Sequence, residues 1–264
     1  CLVISQNRNL RLFFLSFLRK RESRIAPRSG SAREKLVLKS VIIILNMKLL
    51  LTSGGITNES IANALFDLVG KKAKESSLVF IPTASNKEAG DKSWFIDDLV
   101  NLKRQNFKSI DIADISAVEE KIWGPKFETA DILFFEGGSN YHLMRWINRS
   151  GLTKLLPEYL RSKVYVGVSA GSMITSKDQP LKFSQAIYEE DFDETENMLS
   201  LELVDFYFLP HLNSPYFKNL REDFIREITK GMTEKIYAMD DQSALKVVDE
   251  KVEVISEGKW FELN

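Results

Sequence analysis

From Met47 onward the chain alternates short, almost wholly apolar runs that end in small or turn-forming residues with helical patterns. Lys48–Thr52 ends in Ser53-Gly54-Gly55, and Leu78–Ile81 ends in Pro82-Thr83-Ala84-Ser85. Ile132–Phe135 closes in Gly137-Gly138, Val164–Val168 runs into Ser169-Ala170-Gly171, and Phe206–Leu209 into Pro210-His211. Between these runs, Ile61, Leu65, Leu68 and Val69 mark a helical face that Asn58 can cap. Phe95, Leu99 and Leu102 mark a second face, and Leu152, Leu155, Leu156, Tyr159 and Leu160 a third. Phe217, Leu220, Phe224 and Ile228 predict one more helix, and Ser109–Ile112, Ile236–Met239, Leu245–Val248 and Val252–Ile255 predict further strands. A strand with no polar face must be covered on both sides, so the pattern predicts a mostly parallel sheet between layers of helices. Ligands of such sheets bind beyond the carboxyl ends of the strands. The polar and Gly-rich tips sit at those ends. Residues 47–264 read as one domain without internal repeat.

Residues 1–46 do not share the pattern. They carry ten Lys or Arg against two acids, a net of +8, which leaves −9 for the remainder of a chain whose total is −1. The Arg- and Ser-rich stretch has no steady hydrophobic period, and residue 1 is Cys rather than Met. This segment reads as a leader foreign to the fold, with Met47 as the start, or as a disordered basic tail. The five apolar residues Val41–Leu45 are too few to span a bilayer. No charged region, apolar core and small-residue cleavage site occur in the order of a signal peptide. The acidic body is a poor candidate for binding nucleic acid, and no nucleic-acid partner is expected. Cys1 is the only cysteine, so a disulfide framework, a Cys-based zinc site and a cysteine nucleophile in the body are all excluded.

Gly167-Val168-Ser169-Ala170-Gly171 fits the G-x-S-x-G pattern of a nucleophile elbow. A strand that turns abruptly into a helix crowds its own backbone, and glycines on either side of the serine remove the side chains that would collide. The amide of Ala170, at the start of the new helix, can face a developing oxyanion, and Gly138 at another strand tip is a candidate second donor. An idle serine in a Gly-rich turn is the alternative. A serine nucleophile needs a base, and the chain has two histidines. His211 comes after a strand and can reach across the crevice. His142 falls one turn into a helix, where packing or solvent exposure is the ordinary fate. The orienting carboxylate is open between Asp241, at the end of a strand, and Asp178, nine residues after the serine, with Asp240 a third choice; each is equally readable as a solvated turn aspartate.

These motifs, in this order, resemble those of the peptidase E (aspartyl dipeptidase) family of serine peptidases. Lys48–Gly55, Phe80–Ser85, Glu136-Gly137-Gly138-Ser139-Asn140, Gly167–Ser172 and Leu209-Pro210-His211 carry the resemblance across most of residues 47–264. It implies an α/β three-layer sandwich with a mostly parallel sheet, like the class I glutamine amidotransferases but with serine at the elbow. It implies hydrolysis of short peptides, Asp-X dipeptides among them, through an acyl-enzyme without metal or organic cofactor. It supports both Asp241 and Asp178 and ranks Asp241 first. Leu220–Glu227 is similar to the family helix whose first arginine clamps the substrate aspartate, which would be Arg221 here. Ser139-Asn140 and the short stretch between His211 and Arg221 depart from the family pattern. A cytoplasmic enzyme acting on small peptides as a monomer or homodimer, with no membrane partner, is the resulting expectation. An esterase or β-aspartyl peptide hydrolase on the same fold, and a non-catalytic ligand-binding relative, are the alternatives.

Overall fold

The computed structural model describes residues 47–179, 181–188 and 198–264. The extension expected over residues 1–46 lies outside them. In chain order the elements are β1 (Lys48–Thr52), α1 (Glu59–Val69), β2 (Ser77–Ile81), α2 (Ser93–Arg104), β3 (Ser109–Ile112), α3 (Glu120–Thr129) and β4 (Ile132–Phe135). Then come α4 (Asn140–Arg149), α5 (Leu152–Tyr159), β5 (Val164–Val168), α6 (Ala170–Met173), β6 (Asp178–Gln179), α7 (Leu181–Tyr188) and β7 (Met198–Leu199). The chain closes with β8 (Tyr207–Leu209), α8 (Glu222–Ile228), β9 (Ile236–Met239), β10 (Ser243–Val248), β11 (Lys251–Ser256) and β12 (Trp260–Leu263).

The main sheet has the order β11-β10-β1-β5-β4-β2-β3. Its β1, β5, β4, β2 and β3 are parallel, and β10 and β11 add an antiparallel margin. Because successive strand side chains point to opposite faces, each apolar run feeds two separate cores. Leu49, Leu51, Val79, Ile81, Leu133, Phe135 and Tyr165 pack with Trp123, Phe127, Leu143, Ile147 and Leu156 of α3, α4 and α5. Leu50, Leu78, Phe80, Ile132, Phe134, Val164 and Val166 pack with Ile61, Leu65 and Leu68 of α1 and Leu102 of α2. The architecture is thus an α/β sandwich of helices, mostly parallel sheet and helices, as the continuous apolar runs require. α1 starts where Asn58 Oδ1 accepts the Ile61 amide at 2.9 Å and stops at Gly70, whose φ of +71° ends the helix. Among the described residues no helix is long and apolar enough to cross a membrane.

Two strand registers bring distant residues to one edge. Thr52 pairs with Val168 of β5 on one side and Ala244 of β10 on the other. The carboxyl ends of β1 and β5 and the amino end of β10 therefore share one edge of the sheet. A second sheet, β12-β9-β8, lies over its own small core, with β8 and β9 parallel and Leu209 opposite Ala238. Residues two positions beyond β8 and β9 are His211 and Asp241, so the parallel pairing carries both to the same end.

The C-terminal third departs from expectation in three places. Tyr207–Leu209 and Ile236–Met239 are strands but belong to the second sheet. Trp260–Leu263 forms an additional strand, β12, that its own alternation of exposed and half-buried residues left inconspicuous. The expected helix through Phe217 and Leu220 begins only at Glu222. Leu220 is fully buried, so periodicity identified the inward residues, but Arg221 bonds the carbonyls of Phe217 and Leu220 through its side chain and holds them in a loop.

Leu50 lies at the middle of β1, an interior strand of the main sheet, and is fully buried. Leu50→Ala should lower unfolding free energy by about 2–5 kcal/mol, read as a fall in the urea midpoint with an unchanged m-value.

Candidate active site

Ser169 joins β5 to the single turn of α6 with φ +46° and ψ −107°, a backbone conformation that side chains rarely adopt. Packing leaves it no alternative. A Cβ on Gly167 would lie 2.6 Å from the carbonyl carbon and oxygen of Gly171 and from the Ser172 amide. A Cβ on Gly171 would collide with the Phe135 carbonyl at the end of β4. The two glycines let strand, helix and neighbouring strand approach at backbone distance. Hydrogen bonds then hold the turn: Ser169 N–H donates to Thr52 O at 3.0 Å, Ser172 Oγ to the same carbonyl at 2.8 Å, and Tyr165 Oη to Gly171 O at 2.6 Å.

The hydroxyl so presented meets His211. Ser169 Oγ is 2.9 Å from His211 Nε2, and His211 Nδ1 is 2.7 Å from Asp241 Oδ1. Ser53, the first residue past β1, braces both partners: its Oγ donates to Asp241 Oδ1 at 2.6 Å and accepts the His211 backbone amide at 2.7 Å. His211 has φ +66°, and the next amide, Leu212 N–H, donates to Met239 O at 2.9 Å. Gly54 makes room for the carboxylate, since a Cβ there would sit 2.9 Å from Asp241 Cβ. The ring of Phe217 stacks on the imidazole at 5.0 Å and 17°. Burial opposes the charge of Asp241, but the hydrogen bond and charge of His211, with the Ser53 hydroxyl, outweigh it and hold the carboxyl below its ordinary range. An anionic acceptor on Nδ1 fixes the tautomer that leaves Nε2 able to take a proton from the serine.

The Gly137-Gly138 turn lies beside the serine. A Cβ on Gly137 would lie 3.3 Å from Ser169 Cβ and 3.9 Å from the ring of Trp94, a partly exposed side chain of α2. Gly138 has φ +127° and presses against the backbone of Ala84 and Ser85. Among the described residues neither the Gly138 nor the Ala170 amide has a hydrogen-bond partner, so both are free to face an oxyanion. Two buried acids flank this turn: Glu136, which precedes it, and Asp98 on α2.

Of the residues singled out from sequence, the structure brings together Ser169, His211 and Asp241, with Gly138 and Ala170 alongside. His142 lies on α4 against Trp146; burial, with the charges of Lys87 and Arg145, pushes its imidazole below its ordinary value. Asp178 falls on β6, and its side chain lies outside the described residues. Asp240 instead holds the turn before β10, accepting Ser243 Oγ at 2.7 Å and the Gln242 amide at 3.1 Å. Arg221 donates to three loop carbonyls: Phe217 O at 3.2 Å, Leu220 O at 3.0 Å and Ser214 O at 3.0 Å. It therefore shapes the segment that carries Phe217 onto the imidazole. Sequence reasoning assigned no role to Ser53, Asp98 or Glu136. The first and last stand in strand tips already notable for composition, while Asp98 comes four residues after Trp94 and so shares its helix face. No group of three or more His, Cys, Asp or Glu among the described residues is placed to hold a metal ion.

Comparison with known proteins agrees with this architecture. The profile described as peptidase family S51 matches residues 49–255. An uncharacterized peptidase of Listeria monocytogenes is 30% identical over 202 residues, covering 71% of this chain and 90% of the relative. One from Listeria innocua is 27% identical over 192 residues, covering 71% and 88%. A peptidase E of Streptomyces coelicolor is 24% identical over 123 residues, covering 46% of this chain and 51% of that protein. Among solved structures, a Listeria monocytogenes EGD-e protein provisionally described as a peptidase E superposes with a TM-score of 0.65 at 23% identity, covering 81% of this chain and 100% of that one.

Asp241→Asn preserves the shape of the site but gives Nδ1 an ambiguous partner, so the imidazole can settle in the tautomer that cannot accept the serine proton. Labelling of Ser169 by a fluorophosphonate should slow by about 10⁴-fold, the scale of the same change in a Ser-His-Asp triad, with the circular dichroism spectrum unchanged.

Proposed function

The chain belongs to peptidase family S51, and we propose that it is a serine peptidase that hydrolyses short peptides through an acyl-enzyme on Ser169. The observation that carries this reading is the unbroken line of contacts from Ser169 Oγ through His211 to Asp241, at 2.9 and 2.7 Å. In the first step His211 Nε2 takes the Ser169 proton as Oγ attacks the scissile carbonyl carbon. The carbonyl oxygen becomes an oxyanion held by the amides of Gly138 and Ala170, and Asp241 stabilises the imidazolium. The imidazolium then protonates the leaving amine and the C–N bond breaks, leaving an ester on Oγ. A water gives its proton to His211, attacks that ester, and the acid departs as Oγ recovers its proton. The acid and base roles both fall to one imidazole, which the Ser53 and Phe217 contacts keep in a single orientation.

The finer reading is a dipeptidase with a preference for Asp-X, supported by the sequence relation to a protein named peptidase E and by Arg221. A guanidinium has five N–H donors. Three bonds to loop carbonyls are made here, and a clamp on a substrate carboxylate would draw on the donors beyond those three. The same reading places the enzyme in the cytoplasm, acting on free peptides as a monomer or homodimer.

Ser169→Ala should reduce peptide hydrolysis to background and abolish fluorophosphonate labelling while leaving the melting profile intact; full turnover in that variant ends the reading. A panel of Asp-X dipeptides, other dipeptides and p-nitrophenyl esters, run on wild type and on Arg221→Ala, resolves specificity. Selective loss of Asp-X hydrolysis identifies Arg221 as the clamp. Equal loss on all peptides shows that it acts only through the loop, and preference for the esters removes the peptidase assignment.

A further inference from the structure

Glu136 is completely buried at the end of β4, directly before the glycine turn. Its Oε1 accepts the Gly137 amide at 2.9 Å. Its Oε2 is equally buried, and no N–H or O–H of the described residues donates to it. Beside it is the carboxyl of Asp98, 8% exposed on α2, close enough that each acid shifts the other's proton affinity. Gly55 completes the enclosure: at φ +79° it leaves the space where a Cβ would lie 2.5 Å from Asp98 Oδ1. No Lys or Arg makes an ion pair with either acid among the described residues. Two ionised carboxylates cannot hydrogen-bond, and their buried repulsion is large. One proton on the pair removes the repulsion and lets Oε2, otherwise without a partner, enter a hydrogen bond.

We propose that Glu136 is a protonated positioning residue: its Oε2–H donates to the Asp98 carboxylate while Oε1 accepts the Gly137 amide, so that α2 and β4 together hold the Gly137-Gly138 turn where its free amide faces the oxyanion. This role rests on the peptidase reading of the Ser169 site. It satisfies every polar atom of the Glu136 carboxyl with one tautomer. It also explains why an acid, rather than an apolar residue, ends a strand whose other members are Ile132, Leu133, Phe134 and Phe135. The charged and titratable groups facing the pair agree with it. Burial first, then Asp241 and Asp97, push the Asp98 carboxyl up to about 7, against the hydrogen bond from Glu136 and the pull of His211. Burial and the charge of Asp98 push Glu136 well above the usual carboxylate range. The pair therefore holds a proton in the folded chain that the unfolded chain has released by mildly acidic pH. The native state loses stability as pH rises from about 4 through about 7, because over that window the unfolded chain binds fewer protons. At still higher pH the last shared proton leaves, and the turn loses its clamp.

The test is the pH profile of peptide hydrolysis for wild type, Glu136→Gln and Glu136→Ala, with fluorophosphonate labelling as an independent readout of Ser169. Glutamine mimics the protonated acid, accepting from Gly137 and donating to Asp98. Its kcat should stay within about tenfold of wild type, the scale of one ordinary hydrogen bond. It should also lack the alkaline loss of kcat that wild type shows, since the amide has no proton to give up. Glu136→Ala should lower kcat by about 100- to 1000-fold, as when an oxyanion donor is lost, with KM changed far less. The proposal is overturned if the glutamine variant is as impaired as alanine, or if it keeps the alkaline loss of the wild type. It is equally overturned if alanine turns over normally. Failure of the peptidase reading is separable, because it appears in the wild type as absent hydrolysis whatever residue 136 is.

Discussion

Everything at the reactive end of this molecule depends on one close approach between backbones, where Gly167, Gly171 and Phe135 come together around the turn at Ser169. A φ of +46° at a serine costs on the order of 1–3 kcal/mol and would relax in an isolated segment. It persists because strands on both sides of β5 are locked in register, and because Thr52 O, the last carbonyl of β1, receives bonds from both Ser169 and Ser172. The stability of the two cores is in this way converted into the placement of a single oxygen atom.

The second organising feature is electrostatic. Asp241 bonds the imidazole, Asp98 feels its charge, and Glu136 lies beyond Asp98, so each acid meets a different environment. Asp241 has two short donors, Ser53 Oγ and His211 Nδ1, which hold its carboxyl below the ordinary range despite burial. Asp98 and Glu136 have chiefly each other, and the balance turns the opposite way. Burial alone raises a carboxyl; what decides the outcome is whether a donor arrives with it. Ser53 is such a donor, and its hydroxyl and the His211 amide it receives join the ends of β1 and β8 across two sheets.

The legible parts of the fold were those governed by local spacing. Apolar runs such as Leu78–Ile81 and Ile132–Phe135 announced strands covered on both faces, and Asn58 announced the start of α1. Gly167 was legible because it crowds near neighbours in the chain, Gly171 and Ser172, whereas the contact of Gly171 with Phe135 belongs to the assembled sheet. His211 was legible partly by scarcity, as one of two histidines. The choice among Asp241, Asp240 and Asp178 was not, because all three are polar residues in turns and the distinction lies in which strand stands beside which. The loop from Phe217 to Arg221 had the burial of a helix without its backbone, a difference set by what the guanidinium bonds to.

The sequence by itself determined the covered, mostly parallel sheet, the elbow at Ser169 and the shortlist of residues that stand at strand tips, since each arises from steric and hydrophobic rules acting over a few residues. Only the tertiary structure decided that β10 runs antiparallel beside β1, that β8 and β9 form a separate parallel pair, and hence that Asp241 reaches His211 and Asp98 meets Glu136. Those pairings join positions 30 and 38 residues apart. Their energies arise from desolvation and direct contact, neither of which exists until the sheets have assembled.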